Sequence, residues 1–447
     1  MPRMFGTDGV RGVANTPDLS PELAFALGRA AAAVARERTG RRPVAVVGRD
    51  TRRSGPMLAA ALSAGVCSAG GDVVDLGVVT TPGVAFVTTH LGADFGVMIS
   101  ASHNPAPDNG IKFFSADGFK LPDAAEDELE ALVRASTDAL PRPTGAELGT
   151  IRTSEAAVEA YVQHLVSTGS PLSGMRVVVD CGHGAAYRLA PEVLRRLGAE
   201  VIALNTAPDG MNINDGCGST HPEALQQAVL AHGAQAGIAH DGDADRCIAV
   251  DERGELVDGD QIMAVCALDL KARGQLPADT LVATVMSNMG LELLLREHGV
   301  RLLRTKVGDR YVLEEMQKGG YALGGEQSGH VIFRELSTTG DGILTAVQLL
   351  SVCVRARQPL SALAGRMQRL PQWLENVRVG RKEGWESNPA IRAAIAQAEA
   401  ALEGQGRVLV RASGTEPLIR VMLEGADMAQ LRSLAAAIGE VIRAELQ

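Results

Sequence analysis

The feature that most constrains the fold is a repeated alternation of short apolar runs with longer amphipathic segments. In the first third of the chain, apolar runs at 44–47, 73–76 and 95–99 predict buried strands, and the segments between them have a helical spacing of apolar residues. Such an alternation is typical of α/β units built on a parallel sheet. We therefore expect an α/β fold in this region.

Polar residues mark where several of the predicted helices begin. Ser20 precedes Pro21, an order typical of an N-cap and the first helical residue, so we predict a helix from residue 21. By the same reasoning Ser54 is predicted to cap a second helix, and Ser287 and Asn288 to cap a later one. Each cap would supply an acceptor for a free backbone N–H group in the first turn.

The alternation recurs twice more, and the last part of the chain departs from it. Residues 151–256 and 257–370 each repeat an order of strands and helices, without a strict sequence period. From about residue 371 the order becomes strand, helix, two adjacent strands and a long amphipathic helix, which is typical of a small α+β unit. Since single cores rarely grow past a few hundred residues, 447 residues predict several domains, which we place at 1–150, 151–256, 257–370 and 371–447.

The composition narrows the choice of partners. Hydrophobic residues make up 46% of the chain and charged residues 21%, which is enough apolar material for large cores. The formal net charge of −10 argues against non-specific binding to nucleic acid or to anionic membranes, and an aromatic content of 3% leaves few stacking platforms for single-stranded nucleic acid. An anionic small molecule remains a candidate ligand wherever basic groups cluster.

The sequence also predicts a compartment. The segment from Met1 to Gly6 has no apolar signal region and no stretch reaches the length of a membrane span, so we expect a cytoplasmic protein without a membrane partner. The six cysteines show no Cys-x-x-Cys spacing. We expect most of them to be small buried side chains, not a zinc site or a disulfide framework.

The predicted strand 95–99 breaks into a loop that carries Ser102 and His103. Turn-forming residues follow the strand, so the two side chains are expected at the edge of a sheet, where α/β proteins bind ligands. Taken alone, the loop has a local interpretation, in which the Ser102 hydroxyl caps the next turn. In either case we expect an exposed hydroxyl.

An acidic loop follows the predicted strand 236–240. Asp241, Asp243 and Asp245 alternate with other residues, and three hard oxygen donors on one short loop suit Mg²⁺ or a similar cation. Without a cation, repulsion among three clustered carboxylates would be costly. A solvated acidic turn is the alternative, and a calcium loop is disfavoured because no EF-hand pattern with a bidentate glutamate follows.

A basic loop near the C-terminus carries groups suited to a phosphate. Between Arg411 and Arg420, the residues Ser413, Gly414 and Thr415 supply hydroxyls and backbone N–H donors beside two guanidinium groups. The pattern predicts a phosphate site. A hairpin turn with two surface arginines is the alternative.

A glycine-rich loop contains Glu326, Ser328 and His330. The glutamate is an acceptor and the serine is both a donor and an acceptor, a pair that can hold two vicinal hydroxyls of a sugar. A glycine-rich turn with a packed core histidine is the alternative. Near the N-terminus, Arg11 lies in the polar loop 5–12, either as a surface charge or as the first cation of an anion site.

The four loops, in this order, resemble those of the α-D-phosphohexomutase family, and the resemblance covers essentially the whole chain. Three segments are most similar to bacterial members that act on aminosugars: Phe5-Gly-Thr-Asp-Gly-Val-Arg-Gly12, Ile99-Ser-Ala-Ser-His-Asn-Pro105 and Thr305-Lys-Val-Gly-Asp-Arg310. The resemblance implies three related α/β domains with mixed sheets and a smaller C-terminal α+β domain, arranged around a central cleft. It also suggests a homodimer.

The resemblance further implies a role for each motif residue. Ser102 becomes a phosphoserine, and Asp241, Asp243 and Asp245 ligate one Mg²⁺ together with a phosphate oxygen on Ser102. The implied catalytic residues are Ser102, His103, Lys112, Arg246 and Arg11. The implied substrate contacts are Glu326, Ser328, His330, Arg411, Ser413, Gly414, Thr415 and Arg420.

The activity implied by the resemblance is the interconversion of glucosamine 6-phosphate and glucosamine 1-phosphate, which supplies UDP-N-acetylglucosamine for the cell wall. Phospho-Ser102 would give its phosphoryl group to the free hydroxyl of the sugar phosphate, forming a bound glucosamine 1,6-bisphosphate. That intermediate would reverse its orientation in the cleft and give its other phosphoryl group to Ser102. Lys112, which would need a lowered pKa, and His103 are the candidate general bases, and the sequence does not choose between them.

Three other functions are compatible with these residues. The same apparatus would serve a phosphomannomutase or phosphoglucomutase acting on a different sugar. A metal-dependent phosphatase would release inorganic phosphate, and a non-catalytic sugar-phosphate sensor would use the basic loop without ever carrying phosphate on Ser102.

Overall fold

The structure, a computed structural model, describes residues 3–6, 8–135, 139–402, 404–413 and 416–446. In these residues the chain forms four β-sheets of six, five, four and three strands, which follow one another along the sequence. This arrangement confirms the predicted order of three α/β units followed by a smaller α+β unit. None of the described helices combines the length and the apolar character needed to cross a lipid bilayer.

The first sheet is mixed. Its strands are β1 (Val10–Val13), β2 (Val44–Arg49), β3 (Asp72–Val78), β4 (Phe95–Ile99), β5 (Asp108–Ser115) and β6 (Ile151–Thr153), in the spatial order β1-β5-β4-β2-β3-β6. Its helices are α1 (Pro21–Thr39), α2 (Gly55–Ser68), α3 (Thr81–His90) and α4 (Asp123–Arg134). Strands β4, β2, β3 and β6 are parallel, whereas β5 runs antiparallel to β4, and β1 antiparallel to β5.

The second sheet has five strands. They are β7 (Arg176–Asp180), β8 (Glu200–Leu204), β9 (Ala236–Ala239), β10 (Ile248–Asp251) and β11 (Leu256–Val257), in the spatial order β11-β10-β9-β7-β8. The helices of this unit are α5 (Glu155–Ser167), α6 (Leu189–Arg196) and α7 (Glu223–His232).

The third sheet has four strands and the fourth has three. The third contains β12 (Thr280–Thr284), β13 (Arg301–Thr305), β14 (Leu323–Gly325) and β15 (Val331–Phe333), with helices α8 (Gly259–Ala272), α9 (Met289–Glu297), α10 (Asp309–Gly319), α11 (Gly342–Ala356) and α12 (Leu360–Ala364). The fourth is antiparallel and contains β16 (Gln372–Arg378), β17 (Arg407–Ala412) and β18 (Leu418–Glu424), with helices α13 (Pro389–Ala401) and α14 (Met428–Glu445).

The first three sheets share one topology. In each, a parallel strand ends in a short loop and the chain returns as an antiparallel strand beside it, namely β4 to β5, β9 to β10 and β14 to β15. The neighbouring strands give the matching orders β5-β4-β2-β3, β10-β9-β7-β8 and β15-β14-β12-β13. We call the three connections the returning loops. They contain Ser102, Asp241 and Glu326, and they lie at the carboxyl ends of parallel strands, where α/β sheets bind ligands.

The helix caps agree with the sequence only in part. The Ser20 hydroxyl accepts a hydrogen bond from the backbone N–H of Leu23 at 3.2 Å, which confirms the predicted cap of α1. At α9 the cap is Asn288, as one of the two predicted candidates. The prediction for Ser54 is wrong, because its hydroxyl instead accepts a hydrogen bond from Asn109 Nδ2 at 2.9 Å and so ties the start of α2 to strand β5.

The hydrophobic core distinguishes the C-terminal unit from the rest. One cluster extends from Val46 in the first unit to Val347 in the third. The C-terminal unit packs around a separate cluster that includes Val377 and Ile438. All cysteines are free and all except Cys67 are fully buried, as the sequence predicted for most of them.

Candidate active site

The returning loops of the first three units meet at a cavity of about 490 Å³. The sequence-predicted site residues that line it are Arg11, Ser102, His103, Asp245, Arg246, Glu326 and His330. Its volume lies in the range typical of small-molecule sites. The cavity therefore brings together residues that are far apart in the chain and that the sequence could associate only by motif.

Ser102 lines this cavity but is only 2% exposed, so the expectation of an exposed hydroxyl is wrong. Its hydroxyl donates a hydrogen bond to Asp241 Oδ2 at 2.6 Å and lies 3.3 Å from His103 Nδ1. Its φ of 52° lies in the left-handed region, which is uncommon for a residue with a side chain. The hydroxyl is thus held beside the acidic loop, in a backbone conformation that the surrounding structure must enforce.

The acidic loop forms a compact group of carboxylates. One oxygen each of Asp241, Asp243 and Asp245 lies within 4.8 Å of the others, and all three residues are buried. Among the described residues, Asp243 Oδ1 and Asp245 Oδ1 have no hydrogen-bond partner. Burial and the two neighbouring carboxylates raise the pKa of Asp241 well above its ordinary value. Buried, unpaired oxygen donors of this kind fit a hard divalent cation such as Mg²⁺.

Helices from the first and third units hold the acidic loop in place. At the start of α3, the backbone N–H of Thr81 donates to Asp243 O at 3.0 Å and its hydroxyl donates to Asp243 Oδ2 at 2.6 Å. At the start of α11, the N–H of Gly342 donates to Ala244 O at 2.9 Å. Helix N-termini favour negative charge nearby. Three units therefore determine the position of the carboxylates.

Lys112 lies on β5 behind the cavity and is 2% exposed. Its Nζ lies 2.9 Å from Asp243 Oδ2 and 2.9 Å from Asp8 Oδ2. Burial alone would lower the pKa of Lys112, but these two carboxylates raise it above its ordinary value. A general base would need the opposite shift, so this geometry favours a permanently charged Lys112.

The two histidines of the cavity have pKa values that are shifted in opposite directions. Burial and the cations Arg246 and Arg11 lower the pKa of His103. For His330, burial would lower the pKa, but Asp245 and Asp309 raise it to about 9. The backbone N–H of Gly340 donates to His330 Nε2 at 3.2 Å, so His330 takes up a proton on Nε2 only when that bond is given up. Near neutral pH, His103 is the uncharged imidazole of the site.

Several charged residues of the cavity wall were not predicted from the sequence, among them Asp8, Lys120 and Asp309. Asp8, Lys120 and Asp309 all line the cavity, and Lys120 Nζ donates to Asp8 Oδ1 at 2.7 Å and to Asp309 Oδ2 at 2.5 Å. This pairing joins the first unit to the third. Asp8 and Asp309 lie inside motifs that the sequence analysis had singled out, whereas nothing local marks Lys120.

The glycine-rich loop of the third unit, residues 326–330, begins directly after β14. Glu326 Oε1 accepts a hydrogen bond from the backbone N–H of Gly308 at 3.0 Å, which fixes one end of its carboxylate. The Ser328 hydroxyl lies 3.5 Å from Glu326 Oε2, and Ser328 is exposed. The two side chains are therefore neighbours, as a pair of sugar contacts requires.

The basic loop of the C-terminal unit does not line this cavity. Among the described residues, none that follows His330 in the sequence contributes to the cavity wall. Arg411 on β17 lies directly opposite Arg420 on β18. Burial and Arg420 lower the pKa of Arg411, and the buried Nε of Arg420 has no hydrogen-bond partner among the described residues. Arg420 Nη2 lies 3.3 Å from Glu416 Oε2, and two like charges opposite each other in a sheet favour further binding of an anion.

Other groups complete this basic loop. Lys382, which the sequence analysis missed, donates from Nζ to the backbone carbonyl of Ser413 at 2.8 Å. The Ser413 hydroxyl accepts a hydrogen bond from the N–H of Glu416 at 3.3 Å. Gly414 and Thr415, also predicted phosphate contacts, lie outside the described residues.

Comparison with known sequences gives one consistent result. Four family models match the chain: phosphoglucomutase/phosphomannomutase alpha/beta/alpha domain I at residues 2–139, domain II at 159–254, domain III at 258–370 and the C-terminal domain at 374–441. A phosphoglucosamine mutase from Symbiobacterium thermophilum is 85% identical over 447 residues, which cover 100% of both chains.

Solved structures show the same architecture. A phosphoglucomutase/phosphomannomutase family protein from Burkholderia thailandensis is 27% identical with a TM-score of 0.81, covering 99% of this chain and 98% of that one. An N-acetylphosphoglucosamine mutase from Aspergillus fumigatus, in complex with GlcNAc-6P and magnesium, matches with a TM-score of 0.70 over 99% and 96% of the two chains. At 17% identity, the second likeness concerns the fold alone.

Proposed function

The chain belongs to the phosphoglucomutase/phosphomannomutase family, and from that premise we infer that it has phosphoglucosamine mutase activity. It is an enzyme of the isomerase class, and its reaction interconverts glucosamine 6-phosphate and glucosamine 1-phosphate. One observation carries this function: the Ser102 hydroxyl lies 2.6 Å from Asp241, a member of the buried carboxylate group, at a cavity that Glu326 also lines.

In this proposal Ser102 carries the phosphoryl group. Phospho-Ser102 gives that group to the free hydroxyl of the bound sugar monophosphate, whose proton passes to a base, and glucosamine 1,6-bisphosphate forms. After the bisphosphate has reversed its orientation in the cavity, Ser102 Oγ takes the other phosphoryl group, whose bond to the sugar oxygen breaks. The base returns its proton to that oxygen and the product leaves. His103 lines the cavity, and burial and the cations Arg246 and Arg11 lower its pKa, so it is the candidate base.

The charges around Ser102 fit this reaction. Asp241, Asp243 and Asp245, with a phosphate oxygen on Ser102, would hold one Mg²⁺, which would neutralise charge on the transferred phosphoryl group. Arg11 and Arg246 line the cavity, and they offer guanidinium groups to the same oxygens.

The basic loop of the C-terminal unit would bind the phosphate that is not reacting. Arg411 and Arg420 present two guanidinium groups on adjacent strands, and the unit that carries them has its own core. A separate unit can grip either end of the sugar in turn and close over the cavity. The same proposal includes this motion, domain boundaries at residues 150, 256 and 370, a homodimer and a cytoplasmic location.

The experiment that tests this function compares turnover of glucosamine 6-phosphate, glucose 1-phosphate and mannose 1-phosphate by the purified enzyme. We expect the highest kcat/KM for glucosamine 6-phosphate, and an intact mass that shows one phosphate on Ser102. A preference for glucose or mannose phosphate would transfer the function to another member of the family. Release of inorganic phosphate in step with substrate loss would indicate a phosphatase, and a Ser102 that is never phosphorylated would indicate a sensor.

A further inference from the structure

A fully buried ion pair lies directly behind the Ser102 loop. The side chains of Arg52 and Asp50 are both 0% exposed, and Arg52 Nε donates to Asp50 Oδ2 at 2.9 Å. Neither residue lines the cavity. Burying two charges is costly unless their remaining donors and acceptors are also satisfied. In this protein the loop itself satisfies them.

The guanidinium group of Arg52 binds the backbone of the loop at four carbonyl groups. Nη2 donates to Ser102 O at 2.9 Å and to Asn104 O at 2.8 Å. Nη1 donates to Asp108 O at 3.0 Å and to Pro105 O. One planar group with fixed donors thus sets the path of the chain from the nucleophile to the start of β5.

Asp50 holds Ser102 from the other side. Its Oδ2 accepts a hydrogen bond from the Ser100 hydroxyl at 2.6 Å, and Ser100 Oγ accepts one from the backbone N–H of Ser102 at 2.9 Å. Both peptide groups of Ser102 are therefore linked to one ion pair, the carbonyl directly and the amide through Ser100. Since a non-glycine residue keeps a φ of 52° only under external support, these contacts supply that support.

We propose that Asp50 and Arg52 are positioning residues for phosphoryl transfer, which hold the strained Ser102 backbone so that its hydroxyl lies beside Asp241. The inference rests on the proposed function, because it assigns the pair to the nucleophile of that reaction. It predicts an effect on the chemical step and none on sugar binding. A misplacement of about 1 Å in a reacting group can cost about 10²-fold in rate.

The main test is Arg52→Lys, which keeps the charge but cannot span four carbonyl groups with one ammonium. We expect kcat to fall by about 10²-fold with KM within about threefold of wild type, and the rate at which Ser102 acquires phosphate from glucose 1,6-bisphosphate to fall in parallel. The matched control is Arg29→Lys, because Arg29 is also buried in the first unit and donates to Leu140 O at 3.3 Å, away from the Ser102 loop.

Three outcomes would overturn the inference. They are a kcat of Arg52→Lys within about threefold of wild type, an equal loss in Arg29→Lys, or a loss confined to KM. If Arg52→Lys does not fold, Ser100→Ala decides, because it removes only the link between Asp50 and the Ser102 amide. We expect it to lower kcat by about tenfold at constant KM, and an unchanged kcat would contradict the proposal.

The phosphorylation rate separates this inference from the proposed function. Normal phosphorylation of Ser102 in an enzyme that does not turn over glucosamine 6-phosphate would contradict the proposed function alone. Equal phosphorylation rates in wild type and Arg52→Lys would contradict the positioning role alone.

Discussion

The two regions that would meet the sugar bisphosphate are built in opposite ways. Ser102 is buried, both of its peptide groups are hydrogen-bonded, and its hydroxyl lies against carboxylates that helices of the first and third units hold. The basic loop presents Arg411 and Arg420 on a partly exposed hairpin, in a unit with its own core. The difference shows where the reaction requires accurate placement of atoms. In the proposed mechanism bonds would break only at Ser102, whereas a phosphate that does not react would need only charge and hydrogen-bond donors.

Polar contacts join the third unit to the C-terminal unit. Glu424 on β18 is buried, pairs with Arg407 and accepts a hydrogen bond from the N–H of Met289 at 3.2 Å. Arg407 Nη2 in turn donates to Ser287 O at 2.7 Å. The C-terminal unit is thus attached to the start of α9 by directional bonds. Such contacts can hold a hinge without a shared core.

The largest effect is expected at Ser102. Ser102→Ala removes the phosphoryl carrier, so we expect kcat to fall by roughly 10⁴-fold or more, while the affinity for glucosamine 6-phosphate by titration calorimetry stays within about threefold of wild type. The matched control is Ser68→Ala, at the end of α2, whose hydroxyl donates to Gly65 O at 2.8 Å. Full turnover in Ser102→Ala would remove the proposed mechanism and with it the contrast between the two regions.

A smaller effect is expected at the basic loop, and it concerns substrate binding instead of the rate of the chemical step. Arg420→Ala should weaken sugar-phosphate binding by about tenfold, since one charge-assisted contact is lost, and leave the rate of Ser102 phosphorylation unchanged at saturating glucose 1,6-bisphosphate. The melting temperature should not fall, because the variant relieves two guanidinium groups that lie opposite each other. Arg432→Ala is the control, since that guanidinium stacks on Trp373 at 4.6 Å. An unchanged affinity in Arg420→Ala would count against the phosphate site.

A third effect concerns the stability of the fold, not its activity, and its dependence on pH. Asp260 on α8 is buried and accepts a hydrogen bond from the N–H of Asn288 at 2.8 Å, and burial, with nearby Asp258, raises its pKa from 3.8 to about 7. Well below pH 4 this carboxyl is protonated in both the folded and the unfolded chain, so it does not lower the free energy of unfolding. As the pH rises to 7 the unfolded chain loses the proton first, so the free energy of unfolding falls by at most about 4 kcal/mol.

Asp260→Asn should therefore melt at a higher temperature than wild type at pH 8 and at nearly the same temperature at pH 4. Scanning calorimetry across that range measures the difference. Parallel pH curves for the two proteins would show that Asp260 is not the titrating group.

Local patterns predicted the elements that bear the site. The apolar run 95–99 and the three alternating carboxylates are visible in a few consecutive residues, and they specify a strand end and a cation site without reference to the rest of the chain. Strand β5 was not predicted, because it follows a polar turn directly and carries Asp108, Asn109 and Lys112 among its apolar residues.

The supporting residues could not be predicted for a different reason. Arg52 lies in a polar segment typical of a surface loop, and every carbonyl group that it binds is 50 or more residues away in the chain. Lys120 likewise finds Asp309 only across two units. Such contacts depend on tertiary structure, and no local spacing encodes them.

The shared topology of the three returning loops has a consequence for biosynthesis. Because Ser102, the three carboxylates and Glu326 come from separate sheets, a nascent chain cannot assemble this cavity until the ribosome has released the residues up to His330. The earlier units emerge carrying a cluster of buried acidic groups whose supporting helix, α11, has not yet been made. The complete cavity can therefore form only late in translation.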